Sequence, residues 1–354
     1  MFAFQCLLIC GMARSQDDIP SSSKFADYDT NFYRVYEDRL VIGLYSAYQN
    51  YNLEITQKSI SDPKGISHIN YVSDAAAVNG IIINYDKINI AFAYKSNPQA
   101  DSYKKGHTRF NGFGLNIGAD KWQLEANYRN YNWFYDLSTA LYDTSYKPEK
   151  PYYQNPSMNA ENVKFKFMYF PLNKKFSYQS AYACNERQLK SYFSPVWTAN
   201  LYFSNLSADT SLIPYFIRPY YGYSSDVNRL HTFAFSAAGG MTGTWVVYKR
   251  FFLNGMFVFG LESQYNTYHH FNTDLTNSAE YINWTSDIRV ALGFNNRNFF
   301  FTVNIINDVS HSHSGLFDVN SNFKLVSFTL GYRFKVKEPR VVTTIHNTKL
   351  YKLL

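Results

Sequence analysis

Long hydrophobic runs are nearly absent from this chain of 354 residues. Beyond the N-terminus, no stretch reaches the about 18 apolar residues that a membrane-spanning helix needs. The longest candidate, residues 251–261, is interrupted by Asn254 and Gly255. The sequence therefore excludes a bundle of transmembrane helices.

Cysteine and charge are also scarce. Cys6 and Cys10 lie in the apolar N-terminus and Cys184 stands alone, so we expect no intramolecular disulfide in the mature chain. Charged residues make up 17% of the chain, and its net charge of +7 is not concentrated in a basic helix, which argues against nucleic acid as a partner. No phosphate loop, dinucleotide fingerprint or paired-cysteine motif occurs, so no cofactor is expected.

Aromatic residues, in contrast, are abundant at 19%, which is typical of β-strands and membrane interfaces.

The N-terminal residues differ in composition from the rest of the chain. Residues 2–12 are apolar, and Ala13-Arg14-Ser15-Gln16 offers a small-residue cleavage site, so residues 1–16 are interpreted as a secretion signal. Residues 17–38 are polar and predict a periplasmic lead-in.

Residues 282–305 show the pattern that repeats along the chain. Ile282, Trp284 and Ile288 alternate with polar residues such as Asn283 and Thr285. The alternation resumes after a polar turn at 295–298. Strand side chains point to opposite faces with period two, so this is a hairpin with one apolar face that carries no charge. An uncharged apolar face beside aromatic-rich turns favours an outer-membrane β-barrel.

Turn lengths set the expected strand number. Short turns near residues 87, 120, 173, 250 and 296 are assigned to the periplasmic side, and longer connections to the other side. This alternation needs a strand at residues 212–223, despite Pro214 and Pro219. The prediction is an all-β, transmembrane, antiparallel up-and-down barrel over residues 39–335 with about 14 strands, or 12 if that segment is a loop.

Aromatic residues next to the turns predict a girdle at the periplasmic interface. The alternative is a soluble β-sandwich, because strands of any kind are rich in these residues. The predicted girdle residues are Tyr85, Trp122, Phe170, Phe176, Phe203, Tyr248, Phe251, Phe294, Phe299 and Phe334.

Charged residues on the opposite face predict a mildly positive lumen. One interpretation is a porin-like pore that favours anions, and the other is a lumen filled by its own salt bridges, such as Asp287 with Arg289 or Glu125 with Arg129. The predicted lumen residues are Lys95, Glu125, Arg129, Lys164, Lys166, Glu262, Asp287, Arg289 and Arg333.

Two other groups of residues have the composition of chemical sites. His311 and His313 stand at alternate positions, but without a third ligand solvated histidines are favoured over a metal site, as for His269 and His270. Ser225, Asp226 and His231 are the residue types of a hydrolase near the outer rim. Sequence proximity alone does not establish a nucleophile, base and orienting group, so no catalytic residue is assigned and an enzyme is the less favoured interpretation.

Several motifs resemble a family of Bacteroidetes outer-membrane proteins known as domain of unknown function 4421. They are Asn185-Glu186-Arg187-Gln188-Leu189-Lys190-Ser191, Lys175-Phe176-Ser177-Tyr178, Tyr28-Asp29-Thr30 and residues 248–255. The resemblance spans most of the mature chain. It implies a barrel and no known activity. Barrels of this kind often end on an aromatic residue, whereas here Phe334 is followed by a basic tail at 336–354, expected in the periplasm.

The sequence thus favours an outer-membrane channel or transporter for small polar or anionic solutes, in contact with outer-membrane lipid. A second hypothesis is a structural or docking barrel that holds an envelope protein partner through residues 136–161 or the basic tail. A rim hydrolase is the third.

Overall fold

The computed structural model describes residues 28–36, 39–57, 67–95, 102–119, 121–273, 275–313 and 317–336. The expected signal peptide and the C-terminal tail from residue 337 lie outside these residues. The strands are β1 (Tyr33–Val35), β2 (Arg39–Gln57), β3 (His68–Tyr85), β4 (Ile88–Lys95), β5 (Arg109–Ala119), β6 (Trp122–Asp136), β7 (Tyr153–Tyr169), β8 (Glu186–Gln188), β9 (Tyr192–Ser207), β10 (Val227–Val247), β11 (Phe251–His270), β12 (Thr276–Asn295), β13 (Phe299–His313) and β14 (Phe317–Lys335). The helices are short: α1 (Ser102–Lys105), α2 (Thr139–Tyr142), α3 (Gln179–Tyr182) and α4 (Arg218–Tyr221), with 3-10 turns at Tyr215–Ile217 and Gly222–Ser224.

Twelve of the described strands close into one antiparallel barrel. Each strand from β2 to β7 and from β9 to β14 pairs with its neighbours along the chain, β7 pairs with β9, and β14 pairs with β2. Closure gives each of these twelve strands a neighbour on both sides, as a strand-built membrane protein requires. The remaining pair, β1 and β8, forms a separate two-stranded sheet.

The expected strand at residues 212–223 does not form. This segment consists of 3-10 turns and the helix α4, with Pro214 and Pro219 inside it. Proline cannot donate to a β-ladder, and two prolines five residues apart are incompatible with a central strand. The fallback number of twelve is therefore the one the structure has.

The barrel is apolar outside and polar inside. On β11, Phe257 and Phe259 are 52% and 47% exposed, whereas Asn254 on the same strand is fully buried. Arg333 on β14 is also fully buried. This is the reverse of a soluble protein, so the exposed apolar face is the membrane-facing surface and the soluble sandwich is excluded.

The register of β12 and β13 confirms the hairpin inferred from alternation, with Leu292 opposite Val303 and Phe294 opposite Phe301. The turn after β10 shows why the short turns close so tightly. Tyr248 and Lys249 both adopt positive φ angles, 50° and 58°, and the Arg250 amide donates to the Val247 carbonyl at 3.2 Å. Two left-handed central residues match the twist of the strands that they join.

The turns at 86–87, 248–250 and 296–298 lie at one end of the barrel, the short-turn end, together with both barrel termini. The opposite end, the long-loop end, carries the longer connections. Most strands have 15 to 21 residues, more than the about 10 expected to cross the apolar band, so the barrel wall continues past the membrane. None of the helices in the described part of the chain is long and apolar enough to cross a bilayer.

Candidate functional site

The segment between β7 and β9, residues 170–191, folds into the barrel from the short-turn end. We call it the plug. It contains α3 and β8, and Phe170, Phe176 and Ala181 within it are fully buried. The short turn predicted near residue 173 does not lead into a strand. The residues after Phe176 turn into α3, and their polar groups bond to the barrel interior instead of to a neighbouring strand.

Two tyrosines of the plug reach the charged wall of the lumen. The Tyr178 hydroxyl donates to Glu125 Oε1 at 2.9 Å and accepts from Arg289 Nη1 at 2.6 Å. The Tyr182 hydroxyl donates to Asn254 Oδ1 at 2.9 Å, and its ring stacks on that of Tyr178. The barrel wall therefore fixes α3 by hydrogen bonds as well as by packing.

The plug backbone is also held by side chains of the barrel. Asn295 Nδ2 donates to the carbonyls of Ser180 and Glu186, both at 2.9 Å. Arg333 donates from Nε to the Cys184 carbonyl at 2.8 Å and also contacts Asn295 Oδ1 at 2.7 Å. An irregular buried segment has backbone groups that no ladder satisfies, and these side chains supply the missing partners.

Above the plug, a layer of ion pairs crosses the lumen. Arg289 binds Glu125 at 2.8 Å and Asp287 at 3.1 Å, Lys166 pairs with Asp287, and Lys164 pairs with Asp308. The predicted Asp287–Arg289 bridge is present, but Glu125 pairs with Arg289 rather than Arg129. Asp308 was missed as a lumen residue because the alternation was followed only as far as Ile305, whereas β13 continues to His313.

The long-loop end is closed by apolar packing. Tyr51, Tyr131 and Phe134 of the barrel belong to a buried cluster that also includes Leu212, Ile213, Ile217 and Tyr221 of the segment between β9 and β10. The Tyr71 hydroxyl donates to the Leu212 carbonyl at 2.9 Å, and that of Tyr221 donates to the Ser67 carbonyl. We call residues 208–226 the cap.

Cavities remain between the plug and the cap. One of about 220 Å³ is bordered by the ion-pair layer and by Tyr178 and Tyr182. A second of about 200 Å³ lies beside it, against Tyr45, Phe110 and Leu325. A third, of about 40 Å³, lies next to Tyr51 and Tyr131. In the part of the chain that the structure describes, packed side chains thus occupy both ends of the lumen, and these spaces lie between them.

The structure brings most of the predicted lumen residues together. Glu125, Arg129, Lys164, Lys166 and Arg289 line the larger cavity, and Glu262 lines the smallest one. Asp287 is in the ion-pair layer, whereas Arg333 lies nearer the short-turn end and binds the plug. Lys95, at the end of β4, takes the same side of its strand as Ala91 and Ala93, which border a cavity.

The predicted girdle residues separate into three groups. Tyr85, Trp122, Tyr248, Phe251, Phe294, Phe299 and Phe334 lie beside turns or strand ends at the short-turn end. Phe203 lies near the other end of β9, next to Phe233, so its assignment to the periplasmic girdle was wrong. The assignment of Phe170 and Phe176 to the girdle was also wrong, since both are fully buried in the plug, where their rings contact each other.

The proposed rim hydrolase groups do not assemble. Asp226 binds His270, with Nδ1 at 2.7 Å, while the ring of His231 packs edge-on against His269 at 5.4 Å. His269 Nδ1 in turn lies 3.1 Å from Thr276 Oγ1. The side chains of His311 and His313 lie outside the described part of the molecule. Among the described residues, no group of three His, Cys, Asp or Glu side chains is arranged to hold a metal ion.

The plug could have been suspected from one feature of the sequence. Other connections at the short-turn end have two or three residues, whereas 22 separate β7 from β9, and residues 184–191 break the apolar alternation. A single short turn at residue 173 does not account for a segment of that length.

The fold and its interior define a transmembrane β-barrel of the outer-membrane type, closed by a plug of its own chain. Residues 27–334 match the family model described as Domain of unknown function (DUF4421), so the chain belongs to that family. No curated protein matches it.

Solved structures with a similar fold are distant in sequence. The outer-membrane protease OmpT from Escherichia coli is 10% identical, covers 88% of this chain and all of its own, and gives a TM-score of 0.40. The translocator domain of the autotransporter NalP from Neisseria meningitidis is 9% identical, with coverages of 94% and 95% and a TM-score of 0.31. An outer-membrane channel from Pseudomonas putida F1 is 9% identical, with coverages of 88% and 100% and a TM-score of 0.30.

Proposed function

We propose that this protein is an outer-membrane barrel that binds a small anionic solute in its closed lumen and passes it when plug and cap move. The observation that carries the proposal is the internal space into which Arg129, Lys164, Lys166 and Arg289 project between the two closures. These four cations face the carboxylates of Glu125, Asp287 and Asp308, which leaves a net positive charge beside this space, and such a charge favours anions as charged rings do in other pores. In this proposal residues 1–16 direct export, the short-turn end is periplasmic, and the source is a member of the Bacteroidetes.

The plug fits a movable closure better than a permanent one. Its contacts with the wall include many hydrogen bonds between polar groups, for example Asn295 with Ser180 and Tyr182 with Asn254, beside a buried apolar cluster in which Phe170 and Phe176 belong with residues of the wall. Such groups exchange protein partners for water at a small net cost, about 0.5–1.5 kcal/mol for each neutral hydrogen bond. A segment held largely by such bonds opens more readily than one held mainly by apolar burial.

Single-channel recording in planar bilayers tests the proposal. The full chain is expected to pass little current, and a variant with residues 172–189 replaced by a Gly-Ser linker should conduct with chloride preferred over potassium. Shortening residues 144–151, in the long connection after α2, is the matched control and should leave the barrel closed. A plug-less barrel that is folded by its heat-modifiable gel mobility, yet sealed or cation-selective, contradicts the proposal.

A docking barrel is the second candidate, favoured by the charge of the short-turn end. Lys121, Lys174, Lys175, Lys190 and Lys249 are all exposed there, around the β1/β8 sheet. A basic rim suits an acidic envelope partner. If docking is the function, an envelope protein that co-purifies by chemical crosslinking should be lost in the Lys190→Glu, Lys249→Glu variant or on trimming residues 336–354. It should be kept in a variant with Lys147→Glu and Lys150→Glu on the other side.

A further inference from the structure

One cavity of the lumen has a composition different from the others. The space of about 200 Å³ between β2, β5 and β14 is bordered by Phe110, Phe323, Leu325 and Ile306, and Arg129 is the one charged side chain among the described residues that line it. The lack of a side chain at Gly112 leaves room for the ring of Phe110, because a Cβ there would stand 2.6 Å from Phe110 Cζ. The walls are thus mainly apolar, with a few neutral polar side chains and a single cation at one side.

Arg129 differs from the other cations of the lumen in its partners. Lys164, Lys166 and Arg289 each pair with a carboxylate. Arg129 forms no ion pair among the described residues, and its guanidinium carbon lies 3.7 Å above the centre of the Phe323 ring. Glu262 shares the smallest cavity with it, but the Glu262 carboxylate accepts from Gln264 and from Ser310 at 2.9 Å.

Arg129 also borders all three cavities, so it stands where they meet. A second donor faces the same space. Gln49 is 3% exposed, and its Nε2 atom has no hydrogen-bond partner in the described structure. A guanidinium and an amide N–H together are suited to the two oxygens of a carboxylate. A buried donor such as Gln49 Nε2 is costly to keep without a partner.

We propose that this cavity binds a small monocarboxylic acid with an apolar body. Its carboxylate would lie on Arg129 and Gln49, and its body would lie against Phe110, Leu325 and Ile306. The volume is below the range of about 300–1,000 Å³ that holds drug-sized ligands, so the acid is small, of the size of benzoate or hexanoate. This assignment rests on the proposed function, because it names the class of anion that the lumen takes.

Isothermal titration of the full chain in detergent with benzoate tests the site. Saturable binding is expected, and Arg129→Gln should weaken it about 10- to 100-fold, the usual effect of losing a hydrogen-bonded charge partner. Arg109→Gln is the matched control, since that arginine is exposed on the neighbouring strand, and it should bind benzoate as the wild type does. Benzyl alcohol and inorganic phosphate should bind at least tenfold more weakly than benzoate.

Two further variants keep the test decisive if Arg129→Gln does not fold. Leu325→Trp fills the apolar part of the cavity and should abolish benzoate binding with Arg129 in place, whereas Arg129→Lys keeps the charge and should bind with intermediate affinity. Unchanged benzoate affinity in Arg129→Gln or Leu325→Trp, or equal affinity for benzyl alcohol or phosphate, overturns the assignment. If the plug-less barrel never conducts but the full chain binds benzoate, the passage function is contradicted and the binding site stands. If the plug-less barrel passes a chloride-selective current but the full chain does not bind benzoate, the binding site is contradicted and the passage function stands.

Discussion

The two ends of the lumen are closed by different proportions of polar and apolar interaction. At the short-turn end, Asn295, Arg333 and Arg289 hold the plug through hydrogen bonds to its backbone and side chains, and only a small apolar cluster around Phe170 and Phe176 adds to them. At the long-loop end, Ile213, Ile217 and Tyr221 of the cap are buried among the tyrosines and phenylalanines of the barrel. Polar contacts can be replaced by water with little net loss, whereas apolar burial cannot. The comparison implies that the plug is the more easily displaced closure.

The largest effect is expected from the ion-pair layer between the two closures. Replacing Lys166 by Met leaves Asp287 with Arg289 alone, and breaking a buried pair on one side typically costs about 3–5 kcal/mol. We expect the free energy of unfolding, measured by denaturant titration in lipid vesicles, to fall by that amount. Lys166→Met combined with Asp287→Leu should recover most of the loss. Lys190→Met, at an exposed position, should change nothing, and an equally stable Lys166→Met protein would show that the layer is not energetically coupled.

A somewhat smaller effect is expected in the cap. Ile217 is fully buried, so Ile217→Ala removes apolar contacts and leaves a cavity, at a cost of about 2–5 kcal/mol. Phe216→Ala is the control next to it, since Phe216 is 57% exposed. Limited proteolysis should cut residues 208–226 faster in Ile217→Ala, with the plug still protected. Faster cleavage of the plug as well would mean that the two closures open together.

The smallest effect is expected at the plug. Tyr178→Phe removes the hydroxyl that joins Glu125 and Arg289, at a cost of about 1–3 kcal/mol. Cys184 is buried within the plug, so the rate at which a small maleimide labels it reports plug opening once Cys6 and Cys10 are replaced by alanine. That rate should rise about 5- to 150-fold if the lost energy appears in local opening. Tyr248→Phe, at an exposed turn residue, should label like the parent, and no acceleration in Tyr178→Phe would place the restraint elsewhere.

The local structure of the barrel follows from its sequence. Alternation around Trp284 and Leu292 gives the strands, their inner and outer faces and the hairpin register, because strand side chains alternate whatever the rest of the chain does. The lumen placement of Lys164, Lys166 and Arg289 follows from the same parity. The sequence thus indicates the inner face of these three residues and the Asp287–Arg289 pair, whereas the partners Glu125 and Asp308 come from distant strands.

The number of strands and the interior of the lumen were decided by tertiary structure. Residues 176–182 alternate as a strand would, but no free ladder position exists for them once β7 pairs with β9, and they fold inward as part of the plug. Glu125 pairs with Arg289 across the lumen, 164 residues away in the chain, which no local pattern encodes. The membrane-facing surface follows from the alternation within each strand. The plug, the cap and the space around Arg129 exist only after the sheet has closed, because closure brings distant strands within hydrogen-bond reach.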